Sequence, residues 1–236
     1  MNDTEKWRSL DMALAAISAV IVAYGVLVLG WSVFVVIALF WFENVVIGVL
    51  NVAKMLLSGA RIGGAGVIAA LALATFFTVH YGMFTVGHGV FVVMLFGQAE
   101  LGASSGPLSG LFAPLVRMLD YLLADRDGWF AAVGITLLQG AAFFRWWGAT
   151  RAQPTPLPAL MFAPYGRIFI LHITVIVSGI LIAMLKLPVL GALLLVVLKL
   201  VFDILAVNTT ATRRSPMQAA RWNRFDVSSE DHARRP

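Results

Sequence analysis

Cysteine is absent from the 236 residues, which removes disulfides, thiolate metal ligands and cysteine nucleophiles together. Charge is scarce too. Only 12% of residues are Asp, Glu, Lys or Arg, about half the share of an ordinary soluble domain. No HExxH, Walker or dinucleotide fingerprint is present. The GASSG at 102–106 has nucleophile-elbow spacing but sits in a Gly/Ser/Pro connector with no strand before it, and we read it as chance. Nor is there an internal repeat of the kind that marks inverted-repeat transporters. Chemistry is left to His, carboxylate, Ser, Lys and Tyr.

What is present is apolar. Hydrophobic residues make up 60% of the chain and mean hydropathy is +0.89, so the sequence reads as an integral membrane protein. Apolar runs at 12–29, 32–57, 66–96, 129–150, 165–185 and 189–210 each approach or exceed the roughly 20 residues that cross a bilayer. The expected fold is all-α: a polytopic bundle of six transmembrane helices over 1–211, then a basic, flexible tail over 212–236. Between the third and fourth runs, apolar residues recur every three or four positions within 107–124, with Arg117, Asp120, Asp125 and Arg126 off that face. This predicts an amphipathic helix in the membrane interface, as a connector resting on headgroups rather than a lid.

Lys6, Arg8, Lys54, Arg61, Arg151 and the tail fall on one side of this topology, against Arg117, Arg126 and Lys186 on the other. By the positive-inside rule both termini are cytoplasmic. The basic charge is read as a topology and headgroup signal, with the lipid bilayer as partner and no nucleic acid.

The stretch 76–93, FFTVHYGMFTVGHGVFVV, carries His80, Tyr81 and His88 where lipid solubility asks for none of them. An ionisable group at membrane depth costs roughly 2.5–3.5 kcal/mol on insertion scales, so it usually has a use. The second run adds Glu43, Asn44, Gly48, Asn51 and Lys54 on one sector of about 140°, the fifth adds His172, and the sixth adds Lys199 and Asp203 one turn apart. From the run boundaries, Glu43 and His80 fall about 20 Å from the cytoplasmic helix ends, and His172 and Asp203 about 10–12 Å. His88 lies about 12 Å beyond His80, out of reach of a shared ion unless Gly82, Gly87 and Gly89 unwind the helix.

The blocks WFENVVIGVLNVAKML, FFTVHYGMFTVGHGVFV, RIFILHITVIVSGIL and LVVLKLVFDILAVN resemble the signature segments of an uncharacterised family of bacterial multi-pass membrane proteins. The likeness runs from the second apolar run to the sixth. It implies that Glu43, Asn44, Asn51, Lys54, His80, Tyr81, His88, His172, Lys199 and Asp203 are motif positions, and that the location is the bacterial inner membrane. Relatives often carry a further histidine after the aspartate, where this chain has Val207 and Asn208. The family supplies no reaction.

Three functions follow from the residues. In the first, His80, His172 and Asp203 hold zinc, with iron or manganese as lesser candidates. Glu43 is then a base and Lys199 or Tyr81 steadies negative charge, in a metal-dependent hydrolase of a lipid-like substrate. Asn44, Asn51 and His88 are additional candidates. The ligand types are similar to those of the alkaline ceramidase and adiponectin receptor superfamily, but its HxxxH spacing and seventh helix are absent. In the second, the same groups relay protons in a carrier or channel. In the third, they are contacts of an accessory subunit.

Overall fold

The structure is a computed structural model describing residues 3–102, 112–150 and 154–166, then 168, 169, 172, 173, 176, 193, 194, 196–198, 200 and 201. It is helical throughout the regular elements of these residues. The elements are α1 (Asp3–Leu27), α2 (Val33–Ile62), α3 (Gly64–Phe96), α4 (Gln98–Leu101), α5 (Ala113–Ala124), α6 (Arg126–Ala149) and α7 (Leu157–Phe162). Among the described residues, α2, α3 and α6 are long and apolar enough to cross a membrane, and α1 contributes a shorter apolar stretch, Ala16–Leu27. The expected fifth and sixth spans, Lys199, Asp203 and the tail lie wholly or largely outside the described residues.

The antiparallel pair α2 and α3 forms the centre of the bundle. Ser32 caps α2 through its hydroxyl, which accepts from the Val35 N–H at 3.4 Å. Gly63 reverses the chain at φ 105°, a backbone region that costs glycine little. The helices approach closely just beyond it, where a Cβ on Gly59 would collide with that of Ala70 and with the Gly66 carbonyl. Farther along, a Cβ on Gly48 would sit 2.6 Å from Tyr81 Cε1. Small residues here let two backbones meet, as in many membrane interfaces.

α5 is the expected amphipathic helix, but it does not merely rest on headgroups. Leu115, Met118 and Leu122 are buried, at the i, i+3, i+7 spacing of one helical face. They pack into the core beside Trp41, and Phe34 meets Tyr121 at 5.8 Å between ring centroids. The Arg117 guanidinium donates to the Leu101 carbonyl. Burial, with Glu100 and Asp125 nearby, raises the Tyr121 phenol above its ordinary pKa. Asp125 starts α6, its carboxylate accepting from the Asp127 and Gly128 N–H groups at 3.1 Å each.

Two apolar cores result. One, at the α5 end, includes Phe34, Ile37, Phe40, Trp41, Val92 and Met118. The other, nearer Gly63, includes Met55, Ala70, Phe77, Tyr81, Leu160 and Ile168. The outer face is apolar as well: Ile68, Leu137 and Phe144 are 72%, 68% and 70% exposed. Large apolar side chains in that number on an outer surface suit lipid rather than water.

Candidate functional site

Between the two cores lies a layer of polar groups. Glu43, Asn44, Thr85 and His88 are buried there, and each sits on α2 or α3 because the register of that pair brings it inward. Three contacts fix the register: Gly48 against Tyr81, the Trp41 indole N–H donating to the Thr85 carbonyl at 2.8 Å, and Gly89 against Trp41. Paired levels therefore sum to about 126–130, which sets Glu43 within two residues of the level of Thr85. That level is about 7 Å from His80 and about 4–5 Å from His88 along the axis. The expected common depth of Glu43 and His80 is corrected accordingly.

Glu43 is 3% exposed. One of its oxygens accepts from the Gln139 side-chain amide of α6 at 2.7 Å, so a carboxylate taken from water has a donor built in across the bundle. Tyr81 donates its hydroxyl to the Asn44 carbonyl at 3.0 Å, and Thr85 donates to the Tyr81 carbonyl at 2.9 Å. The Asn44 amide donates to the Phe40 carbonyl at 3.0 Å, while its Oδ1 is buried with no hydrogen-bond partner. Asn51 stands lower, donating to the Leu160 carbonyl at 2.9 Å. It is a tie between α2 and α7, not a member of the layer.

The histidines pair differently from expectation. The ring beside His172 is that of His88, with centroids 4.4 Å apart and planes inclined at 51°. His80 is half-buried in an aromatic setting instead, 5.3 Å from Phe76, 5.2 Å from Phe84 and 5.7 Å from Tyr165.

The cause is an earlier start to the fifth segment. The Pro-rich stretch before Tyr165 reads as a surface connector, yet Leu157 and Leu160 are buried, and Tyr165 already packs edge-on against Phe77 and Tyr81. Seven positions separate Tyr81 from His88 and Tyr165 from His172, and both pairs meet, Tyr81 with Tyr165 and His88 with His172. No unwinding is required. α3 runs unbroken from Gly64 to Phe96, and Gly89 serves to admit Trp41 and Leu115, whose atoms lie 2.6 and 2.5 Å from where its Cβ would stand.

His88 is 5% exposed, and neither ring nitrogen has a hydrogen-bond partner. His172 Nδ1 lies 2.9 Å from the Ile168 carbonyl. A carbonyl only accepts, so Nδ1 carries a proton, and in the neutral tautomer Nε2 has the lone pair. His88 thus offers unpartnered imidazole nitrogen in a buried layer, beside a half-buried His172. Among the described residues, no three His, Asp or Glu side chains converge as metal ligands. Of the expected set of His80, His172 and Asp203, His80 lies among Phe76, Phe84 and Tyr165, and Asp203 lies outside the described residues, as does Lys199. Gln139, Trp41 and Thr85 are the layer residues that sequence reasoning passed over. Gln139 carried a usable signal, a primary amide inside the apolar run ITLLQGAAFF, where burial of an unpaired amide is costly.

No curated protein and no solved structure matches the chain. A family model does, over residues 1–220, which is nearly the whole length, and the chain accordingly belongs to DUF6498, a family of unknown function.

Proposed function

We propose that this protein is a proton-coupled membrane carrier or small channel in which His88 and His172 hold and pass the proton. The observation that carries this reading is His88, an imidazole almost wholly buried with both ring nitrogens unpartnered, 4.4 Å from a second imidazole. An unsatisfied buried polar group costs about 1–3 kcal/mol, a cost that packing alone does not repay. Histidine is the side chain whose ordinary pKa lies in the physiological range, and two imidazoles in contact can share one proton while repelling a second. Glu43 with Gln139, and the open acceptor of Asn44, extend polar groups across the same layer toward α6. Six spans with both termini in the cytoplasm complete the proposal.

The test is proton binding by the purified protein in lightly buffered detergent between pH 3 and 8. Wild type should take up about one more proton per chain than His88→Ala. Equal uptake would end the reading.

The orientation of His172 favours a second reading, the metal-dependent hydrolase. Its Nδ1–H on a backbone carbonyl is the arrangement that fixes a metal-binding imidazole with Nε2 outward. His88 and His172 would be the imidazole ligands in place of His80, Asp203 the carboxylate, and Glu43 a base acting on a lipid-like substrate. Zinc would supply a bound water of lowered pKa. Stoichiometric zinc, iron or manganese in wild type, lost in His172→Ala, would select this reading over the first.

A further inference from the structure

At the Gly63 end of the bundle, one face of α2 carries Asn51, Lys54, Ser58 and Arg61, a sector of about 80° on the helical wheel. It faces the last turns of α6. The Lys54 ammonium lies 5.6 Å from the centre of the Trp146 ring, and the Arg61 guanidinium 3.7 Å from that of Trp147. Trp146 is held in place by its indole N–H, which donates to the Thr155 hydroxyl at 3.0 Å. Arg61 donates to the Thr150 carbonyl at 2.8 Å and to its hydroxyl at 3.2 Å. These contacts occupy one terminal nitrogen of Arg61 and leave its other N–H groups to spare.

Among the described residues, neither Lys54 nor Arg61 has a carboxylate within 4 Å; the ion pair of Arg126 with Asp127, at 4.0 Å, is at the opposite end. Between the two cations along the helix axis, about 40–60° round the wheel from them, stands Ser58, fully buried, whose hydroxyl has no hydrogen-bond partner among the described residues.

We infer that this face binds the phosphate of an anionic phospholipid, its headgroup seated between α2 and α6. Lys54 supplies charge at the bottom, Arg61 supplies N–H donors at the rim, and Trp146 and Trp147 form the walls. Two cations face two indoles at one end of the bundle, and among the described residues no carboxylate within 4 Å neutralises either Lys54 or Arg61. Like charges repel, and an ammonium below the headgroups is costly unless neutralised. Basic pockets between transmembrane helices are a recurring answer to anionic headgroups, and a phosphate offers acceptors for guanidinium and ammonium donors alike. The inference stands apart from the histidine pair.

The experiment uses the full chain purified in a zwitterionic detergent, with phosphatidylglycerol, phosphatidylcholine and inorganic phosphate as probes. Native mass spectrometry should retain phosphatidylglycerol in preference to phosphatidylcholine, and phosphatidylglycerol should raise the melting temperature. Lys54→Gln should weaken retention about tenfold, the scale of one charge-assisted contact. Arg126→Gln, an equal loss of charge at the far end, should leave it unchanged. Equal retention of the two lipids, or no effect of Lys54→Gln, overturns the inference. Protection by millimolar inorganic phosphate equal to that by lipid overturns the lipid assignment. Should Lys54→Gln fail to fold, Arg61→Gln and the two-lipid comparison on wild type still decide the matter.

Discussion

The imidazoles of His88 and His172 meet at 4.4 Å across the contact between α3 and the segment that follows α7. Only one of the two is anchored, His172 by its bond to the Ile168 carbonyl. That asymmetry separates a working pair from a packed one. In a purely structural pair, both rings would be expected to find partners, because unsatisfied polar atoms are rare in interiors.

The first prediction follows. His88→Leu removes two unpartnered nitrogens and keeps an apolar side chain in the gap, so stability should be unchanged or higher by up to about 1–3 kcal/mol. Proton uptake, or metal binding under the second reading, should be lost. Thermal unfolding in detergent measured beside uptake checks both. A clear fall in melting temperature would mean that His88 is held by bonds this structure does not contain.

The helical class and the long second, third and fourth runs were legible in the sequence because hydropathy reports them directly. α2 and α3 start within two residues of the expected positions, though α2 continues to Ile62, past the expected end at 57, and α6 begins three residues before 129. Inward-facing Glu43, Asn44 and His88 were legible too, from the cost of placing them in lipid. Their partners were not. Which histidine meets His172 depends on where the fifth segment begins its rise, and a Pro-rich stretch such as PTPLPALMFAPYG has the composition of a loop whether or not Leu157 and Leu160 are buried in the bundle. Nor does composition reveal that Gly89 makes room for an indole instead of a hinge.

Glycine substitutions on α3 test that last distinction. Gly89→Ala would drive a methyl into Trp41 and Leu115 and should cost about 1–3 kcal/mol as overpacking. Gly82 and Gly87 have nothing within 4 Å of a Cβ, so Gly82→Ala and Gly87→Ala should be neutral or stabilising by about 0.5–1 kcal/mol through helix propensity. Unfolding by SDS titration would rank them. Loss of function in Gly82→Ala or Gly87→Ala, with stability intact, would restore the unwinding hinge that a continuous α3 argues against.

The Glu43 carboxylate and the Gln139 amide bridge α2 and α6 at 2.7 Å. Gln139→Leu removes that donor from a charge almost wholly out of solvent and should destabilise by about 1.5–3 kcal/mol. Adding Glu43→Gln should recover part of the loss, since a buried amide costs less than a buried carboxylate. The same unfolding titration, run as a double-mutant cycle, measures the coupling between them. Additive losses would show that the contact contributes no coupling of its own.

The absence of cysteine makes the membrane orientation directly testable, because every introduced thiol is the sole one. Ile62 closes α2 beside the Gly63 turn and is 52% exposed, while the Asp127 side chain is 38% exposed at the start of α6. α2 and α3 run antiparallel, and the chain returns through α5 to begin α6 at the end opposite Gly63. Ile62→Cys and Asp127→Cys must therefore lie on opposite faces if these helices cross the bilayer. In the proposed topology, with both termini cytoplasmic, Ile62 is on the cytoplasmic face. A membrane-impermeant maleimide applied to intact cells or spheroplasts should label Asp127→Cys and spare Ile62→Cys, with the pattern reversed in inside-out vesicles. Labelling of both from one face would mean that α2 and α6 do not span, and the histidine layer would then no longer lie at membrane depth.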